Sequence, residues 1–394
     1  MTHFIPGNQL TLLHNGEQYF PALERACDQA QHEIYLETYI FEDDVTGRRI
    51  GETLRRAAMR GVRVHLLIDG FGSRSLPRAV IDGMLAAGVR LLLFRPEVAP
   101  WKLRRHRLRR LHRKIVVVDQ AIAFVGGINI IDDMDTPGQV PPRYDYAVAV
   151  EGPLVAEIHA AVRHLWSRVA WARLRPGWIR ERGHSVPPPP KGRVRAAFLI
   201  RDTIRHRRDI EEAYLEAIDN ARSEIVIANA YFLPGLNFRH ALMEASRRGV
   251  RVILLLQGRV EYLLLHYASR ALYGSFLESG IEIYEYHRSF MHAKVAVVDS
   301  YWATVGSSNI DPFSLLLSRE GNVMVQDAGF AGQLRDSLMR GMNEGAQQLR
   351  RERWKKQPFR LRLASWLSYG LVRFLMGMAS YVREDSRARP RHRT

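Results

Sequence analysis

A chain of 394 residues with 46% hydrophobic side chains can bury one large core or two medium ones. Its 58 Lys and Arg against 41 Asp and Glu leave a net charge of +17 and a pI near 10.3, which points to phosphate-bearing partners, nucleic acid or anionic lipid. A single cysteine, Cys27, excludes an intramolecular disulfide and any cysteine-cluster zinc site.

The opening Met1–Gly7 lacks the positive region and apolar core of a signal peptide, and no early stretch is long enough to span a bilayer, so a cytoplasmic start is expected. Ala22–Phe41 reads as an amphipathic helix, with Cys27 packed in it, running into a strand. In Arg60–Ile68 and Ala87–Phe94 a helix ends at glycine and a short apolar strand follows. Trp101 and the run Lys102–Arg110 then form a basic insertion, expected to gather anionic headgroups. It delivers the chain to His112-x-Lys114-x4-Asp119, followed by Gly126 and Asn129. Asp145 opens an alternating strand.

After a stiff Pro187–Pro190 linker the pattern is written again. Ala213–Phe232 repeats Ala22–Phe41, Arg248–Leu256 repeats Arg60–Ile68, and Ser279–Tyr286 repeats Ala87–Phe94. The second motif is His292-x-Lys294-x4-Asp299, with Gly306 and Asn309 in the same register and Glu320 beyond. Only six residues of the chain are Lys, and two of them occupy the motifs. A buried strand with charged ends needs neither His nor Lys at its mouth. Strand and helix alternate throughout, which argues for an α/β fold of two lobes, residues 8–175 and 195–345, with a linker over 176–194. The tail, 346–394, is basic at both ends and apolar over Leu363–Val382. A helix lying in the membrane interface, anchored by Trp366 and tyrosines, fits it better than a span, with a helix packed on the protein body as the alternative.

Two histidines with two lysines suit attack on a phosphodiester. One neutral imidazole attacks phosphorus and the other shuttles the proton. Lys114 and Lys294, helped by Asn129 and Asn309, neutralise the non-bridging oxygens. In a strand, positions i and i+2 share a face, which is the spacing of His and Lys in each motif. Each imidazole also needs an acceptor on its other nitrogen, for which Asp145 and Glu320 are candidates.

These motifs resemble the phospholipase D superfamily, and within it the bacterial cardiolipin synthases of the B type. Further stretches that carry the resemblance are Gly16–Phe20, Asn229–Phe232, Val305–Ser314, Asp145–Val148 and Glu151–Pro153, within about residues 8–345. The resemblance implies two homologous lobes, each a mixed β-sheet flanked by helices, related by a pseudo-twofold axis with the active site at their interface. It implies phosphatidyl transfer between two phosphatidylglycerols at an anionic membrane surface, giving cardiolipin and glycerol with no metal or other cofactor and no obligatory nucleic acid. The site residues it implies are His112, Lys114, Asp119, His292, Lys294 and Asp299. Among them His112 is the nucleophile, His292 the general acid/base, and the two aspartates hold local structure; Asn129 and Asn309 serve the phosphate. Asp145 and Glu320 match acids that orient the histidines across the interface. The expected location is the bacterial inner membrane, peripheral or tail-anchored. The sequence departs from the A-type synthases, which open with paired transmembrane helices, and its apolar tail lies outside the superfamily pattern. A phospholipase D-type hydrolase or transphosphatidylase of other lipids is the alternative, then a nuclease, then a non-catalytic membrane-binding protein; oligomeric state stays open.

Overall fold

The computed structural model describes residues 2–95, 110–179, 187–202, 206–260, 262–311 and 318–385. The first half contributes β1 (Ile5–His14), β2 (Glu33–Thr38), β3 (Arg63–Asp69), β4 (Arg90–Phe94), β5 (Arg110–Leu111), β6 (Lys114–Val118), β7 (Ile122–Gly126) and β8 (Tyr146–Glu151). The second contributes β9 (Val194–Arg201), β10 (Glu224–Asn229), β11 (Arg251–Gln257), β12 (Glu282–Tyr286), β13 (Lys294–Val298), β14 (Trp302–Gly306), β15 (Ser318–Gln326) and β16 (Ala346–Gln348).

Helices Val45–Met59 and Arg78–Ala86 carry the chain between β2, β3 and β4, which pair in parallel; helices Leu236–Arg247 and Leu263–Glu278 do the same for β10, β11 and β12. The inner strands β3, β10 and β11 are buried on both faces over most of their length, hence their mainly apolar runs. The motif strands β6 and β13 then pair antiparallel to β2 and β10. The order is β4-β3-β2-β6-β7-β8-β1 in one half and β12-β11-β10-β13-β14-β15-β9 in the other. Antiparallel pairing of β1 with β9, through Ile5–Ala196 and Asn8–Val194, makes one mixed sheet of them.

Each half buries its own outer core under its own helices. A third core belongs to both: Val125, Val148 and Val150 from the first half share it with Val305, Val323 and Val325 from the second, beneath helices Val155–Ala172 and Ala328–Gly345. The tail begins later than its sequence suggests. Residues 346–348 are β16, which pairs with β12 at the sheet edge, because their backbone groups extend the ladder. Beyond it, helix Phe359–Asp385 packs along helix Leu263–Glu278. It buries Ser365 and Val372 and leaves Trp366, Leu367, Leu371 and Phe374 exposed. No helix among the described residues is long and apolar enough to cross a membrane. Trp101 and residues 102–109 of the basic insertion lie outside the described residues. Its last member, Arg110, is committed elsewhere: it donates to the Arg95 carbonyl at 3.3 Å and lies 3.8 Å from Asp69.

Candidate active site

The two motif strands begin at the seam between the halves, and the backbone there is stitched across it. Leu111 pairs with Arg319 in parallel, and the His112 N–H donates to the Arg319 carbonyl at 3.0 Å. In the mirrored position Met291 bridges to Tyr144, and the His292 N–H donates to the Tyr144 carbonyl at 2.8 Å. Because Arg319 and Tyr144 immediately precede Glu320 and Asp145, the stitching sets each acid beside the other half's histidine. His112 Nδ1 lies 3.1 Å from Glu320 Oε2, and His292 Nδ1 lies 2.8 Å from Asp145 Oδ2. An ionised carboxylate only accepts, so each Nδ1 carries the hydrogen and donates it. That tautomer leaves each Nε2 with a free lone pair. The acids are buried, at 0% and 5% side-chain exposure, while the histidines retain 16% and 17%.

The lysines sit directly beneath. Lys114 Nζ donates to the His112 carbonyl at 2.7 Å, and Lys294 Nζ donates to the His292 carbonyl. Both are buried. Burial brings Lys114 down to about 7, with Glu320 opposing and Lys294 reinforcing the shift. Burial lowers His112 as well, against the pull of Glu320. His292 falls well below the ordinary imidazole range through burial, then Lys294 and Lys114. The acids diverge. Burial pushes Asp145 up to about 6, whereas His112 and Lys114 hold Glu320 below its usual value despite burial.

Ser307 donates to Glu320 Oε2 at 2.6 Å. The corresponding residue in the first half is Gly127, where any Cβ would lie 2.3 Å from the Asp145 carboxylate. The two halves of the site are therefore alike in plan and unlike in detail. Asn129 Oδ1 accepts from the Ile40 N–H at 3.2 Å, which fixes its carboxamide; Asn309 is likewise buried.

The motif aspartates stand apart from this group, at the far ends of β6 and β13. Asp119 accepts from the N–H groups of Gln31, His32 and Glu33, and Asp299 from those of Arg222, Ser223 and Glu224. Asp119–Gln120 and Asp299–Ser300 all have φ between 50° and 56°, the left-handed pair that a tight hairpin turn requires. With the strand between, neither Asp119 nor Asp299 reaches the histidines with which the sequence reading grouped them.

Other neighbours escaped sequence reasoning. Tyr39 places its ring 5.2 Å from that of His112 and 5.5 Å from Lys114 Nζ. Arg113, the residue between His and Lys, makes a buried two-pronged pair with Glu37 at 2.8 and 2.9 Å. Asp69 holds the approach strand through the Leu111 N–H at 2.8 Å. The repeat held no signal for Tyr39, whose counterpart in Ala213–Phe232 is Ala230. Nothing local marked Arg113, Asp69 or Ser307. Among the described residues no group of three or more His, Cys, Asp or Glu side chains could hold a metal ion.

The sequence matches the family described as "Cardiolipin synthase, PLD-like domain" over residues 23–166 and 214–341. It is 42% identical over 334 residues to cardiolipin synthase B of Escherichia coli (strain K12), covering 84% of this chain and 80% of that one. It is 30% identical to the cardiolipin synthase of Geobacillus kaustophilus, over 92% of this chain and 71% of that protein. Among solved structures, phosphatidylserine synthase from Haemophilus influenzae Rd KW20 superposes with a TM-score of 0.72 over 95% of this chain and 97% of that one. At 13% identity this likeness speaks to fold alone.

Proposed function

The chain belongs to the phospholipase D-like cardiolipin synthases, and from that premise we propose that it is a phosphatidyltransferase joining two phosphatidylglycerols into cardiolipin and glycerol at an anionic membrane surface. One observation carries the mechanism: each histidine is locked through Nδ1 by a carboxylate from the opposite half, so both Nε2 atoms are prepared for one phosphorus. His112 Nε2 attacks, the bond from phosphorus to the glycerol oxygen breaks, and His292, entering the step protonated on both ring nitrogens, gives the departing oxygen its Nε2 proton. A hydroxyl of the second lipid then attacks phosphorus and returns a proton to His292. The P–N bond breaks, and cardiolipin leaves. Lys114 and Lys294, with Asn129 and Asn309, hold the non-bridging oxygens, and Asp145 and Glu320 hold the imidazoles in their working tautomer. The membrane side is formed by the exposed Trp366, Leu367, Leu371 and Phe374.

A second order of attack has an observation in its favour. His292 is kept neutral by burial and two lysines, while Glu320 stays ionised opposite His112, which suits His292 as nucleophile and His112 as acid. A p-nitrophenyl phosphatidyl ester decides between them, because nitrophenolate leaves without an acid. With His112 as nucleophile, His292→Ala still releases a stoichiometric burst and retains acid-labile phosphatidyl label, and His112→Ala does neither. Label on His112→Ala would assign the attack to His292. The overall activity is tested on phosphatidylglycerol vesicles with a chelator present. Cardiolipin with equimolar free glycerol is expected; phosphatidic acid alone would make the protein a hydrolase.

A further inference from the structure

The two halves differ sharply at the C-terminal ends of β3 and β11. The repeat aligns Arg60–Ile68 with Arg248–Leu256, so Asp69 and Gln257 are counterparts. Asp69 is closed off: its oxygens accept from the N–H groups of Phe71 at 2.9 Å, Gly72 at 3.1 Å and Leu111 at 2.8 Å. Gln257 is also buried, at 7% exposure; its Oε1 accepts from the Arg259 N–H at 3.5 Å, yet its Nε2 has no hydrogen-bond partner among the described residues. A buried amide donor left unsatisfied is costly, so the position is one a ligand would complete.

Gln257 lines a recess with Arg259, Tyr231, Tyr262, His266 and Ser269. Arg259 is fixed from both halves, donating to the carbonyls of His287 and Gly138, each at 2.9 Å. Neutral carbonyls orient a guanidinium without neutralising it. Burial, then Arg270 and His287, bring His266 down to about 4, so it meets a ligand as a neutral donor and acceptor. The recess opens beside the catalytic centre. β11 is separated from the motif strand β13 only by β10, with Asn229 paired to both Leu256 and Lys294, a distance of about 10 Å at ordinary strand spacing. Tyr262 packs its ring 5.7 Å from Tyr231, and with burial and Asp69 it raises the phenol of Tyr39, which touches His112. Room for water-sized groups inside is about 30 Å³. That suits the small polar end of a headgroup.

We propose that this recess is the acceptor subsite, where the phosphoglycerol headgroup of the second phosphatidylglycerol is held by Gln257, Arg259 and Ser269 with its free hydroxyl turned toward the phosphatidyl-histidine. This deepens the cardiolipin synthase reading and rests on it. The attacking hydroxyl forms the new P–O bond as the P–N bond breaks, and its proton passes to the shuttle histidine. The subsite's part is to place that hydroxyl ahead of water.

The test is a partition measurement on the full chain with labelled phosphatidylglycerol vesicles, with and without methanol as a small competing acceptor. Gln257→Leu and Ser269→Ala are expected to lower the ratio of cardiolipin to phosphatidic acid at least tenfold. Transfer to methanol, which needs no headgroup contacts, should fall less than threefold. Cardiolipin and methanol products falling in parallel in both variants, or an unchanged ratio in both, would overturn the subsite. A wild-type protein that makes no cardiolipin at all would instead sink the functional reading beneath it.

Discussion

Lys114 is a cation that burial has brought to the edge of neutrality, at about 7. A phosphodiester anion at the site restores its charge, so binding above pH 7 takes up a proton and affinity falls as pH rises. Calorimetry of a short-chain phosphatidylglycerol in two buffers of different ionisation enthalpy should show uptake approaching one proton at pH 8 and little at pH 6. Lys114→Met should abolish the uptake. The same shift bears on folding. The unfolded lysine titrates near 10.5, so between about 7 and that value the unfolded chain binds more protons, and this residue makes stability rise with pH. Asp299 works differently, through three backbone donors in a hairpin turn. Asp299→Ala should cost about 1–3 kcal/mol in chemical denaturation while leaving turnover within a few fold.

Among the elements, helix Phe359–Asp385 has two unlike faces, one packed on its neighbour through Val372 and one carrying Trp366, Leu367, Leu371 and Phe374 outward. Replacing those four by serine leaves the packed face intact and should weaken co-sedimentation with phosphatidylglycerol vesicles at least tenfold, with the melting temperature little changed. Binding that survives the substitution would move the membrane contact elsewhere. The tail also marks where the sequence was legible. Its apolar run was plain, but which residues pack and which stay exposed was not, because a composition does not say which side meets a neighbour. His112, Lys114, His292 and Lys294 stood out since a buried strand has no use for them. The pairing of Asp145 with His292 and of Glu320 with His112 was readable only through family resemblance, for each joins residues 147 and 208 positions apart. Ser307 and Gln257 looked ordinary because their meaning lies in what faces them.

At the scale of the whole molecule, the repeat announced two α/β lobes, and the structure joins them more closely than a hinge of prolines suggests. One core and one sheet belong to both. A protease site placed at Pro188 should therefore leave a nicked protein that co-elutes as one species and keeps activity within about twofold. Either half expressed alone should form no phosphatidyl-enzyme. Such a reciprocal arrangement, in which residue i meets j and j meets i, is the signature of an isologous dimer interface. A single-lobed ancestor could have worked only as a pair of identical protomers, each completing the other's histidine. Joining them in one polypeptide removed the obligation to be identical. Glycine could then stay opposite Asp145 while serine came to serve Glu320, and one strand end could close around Asp69 while its twin stayed open at Gln257. Division of labour between attacker and shuttle, or between donor and acceptor, is available to the fused chain and forbidden to a symmetric one.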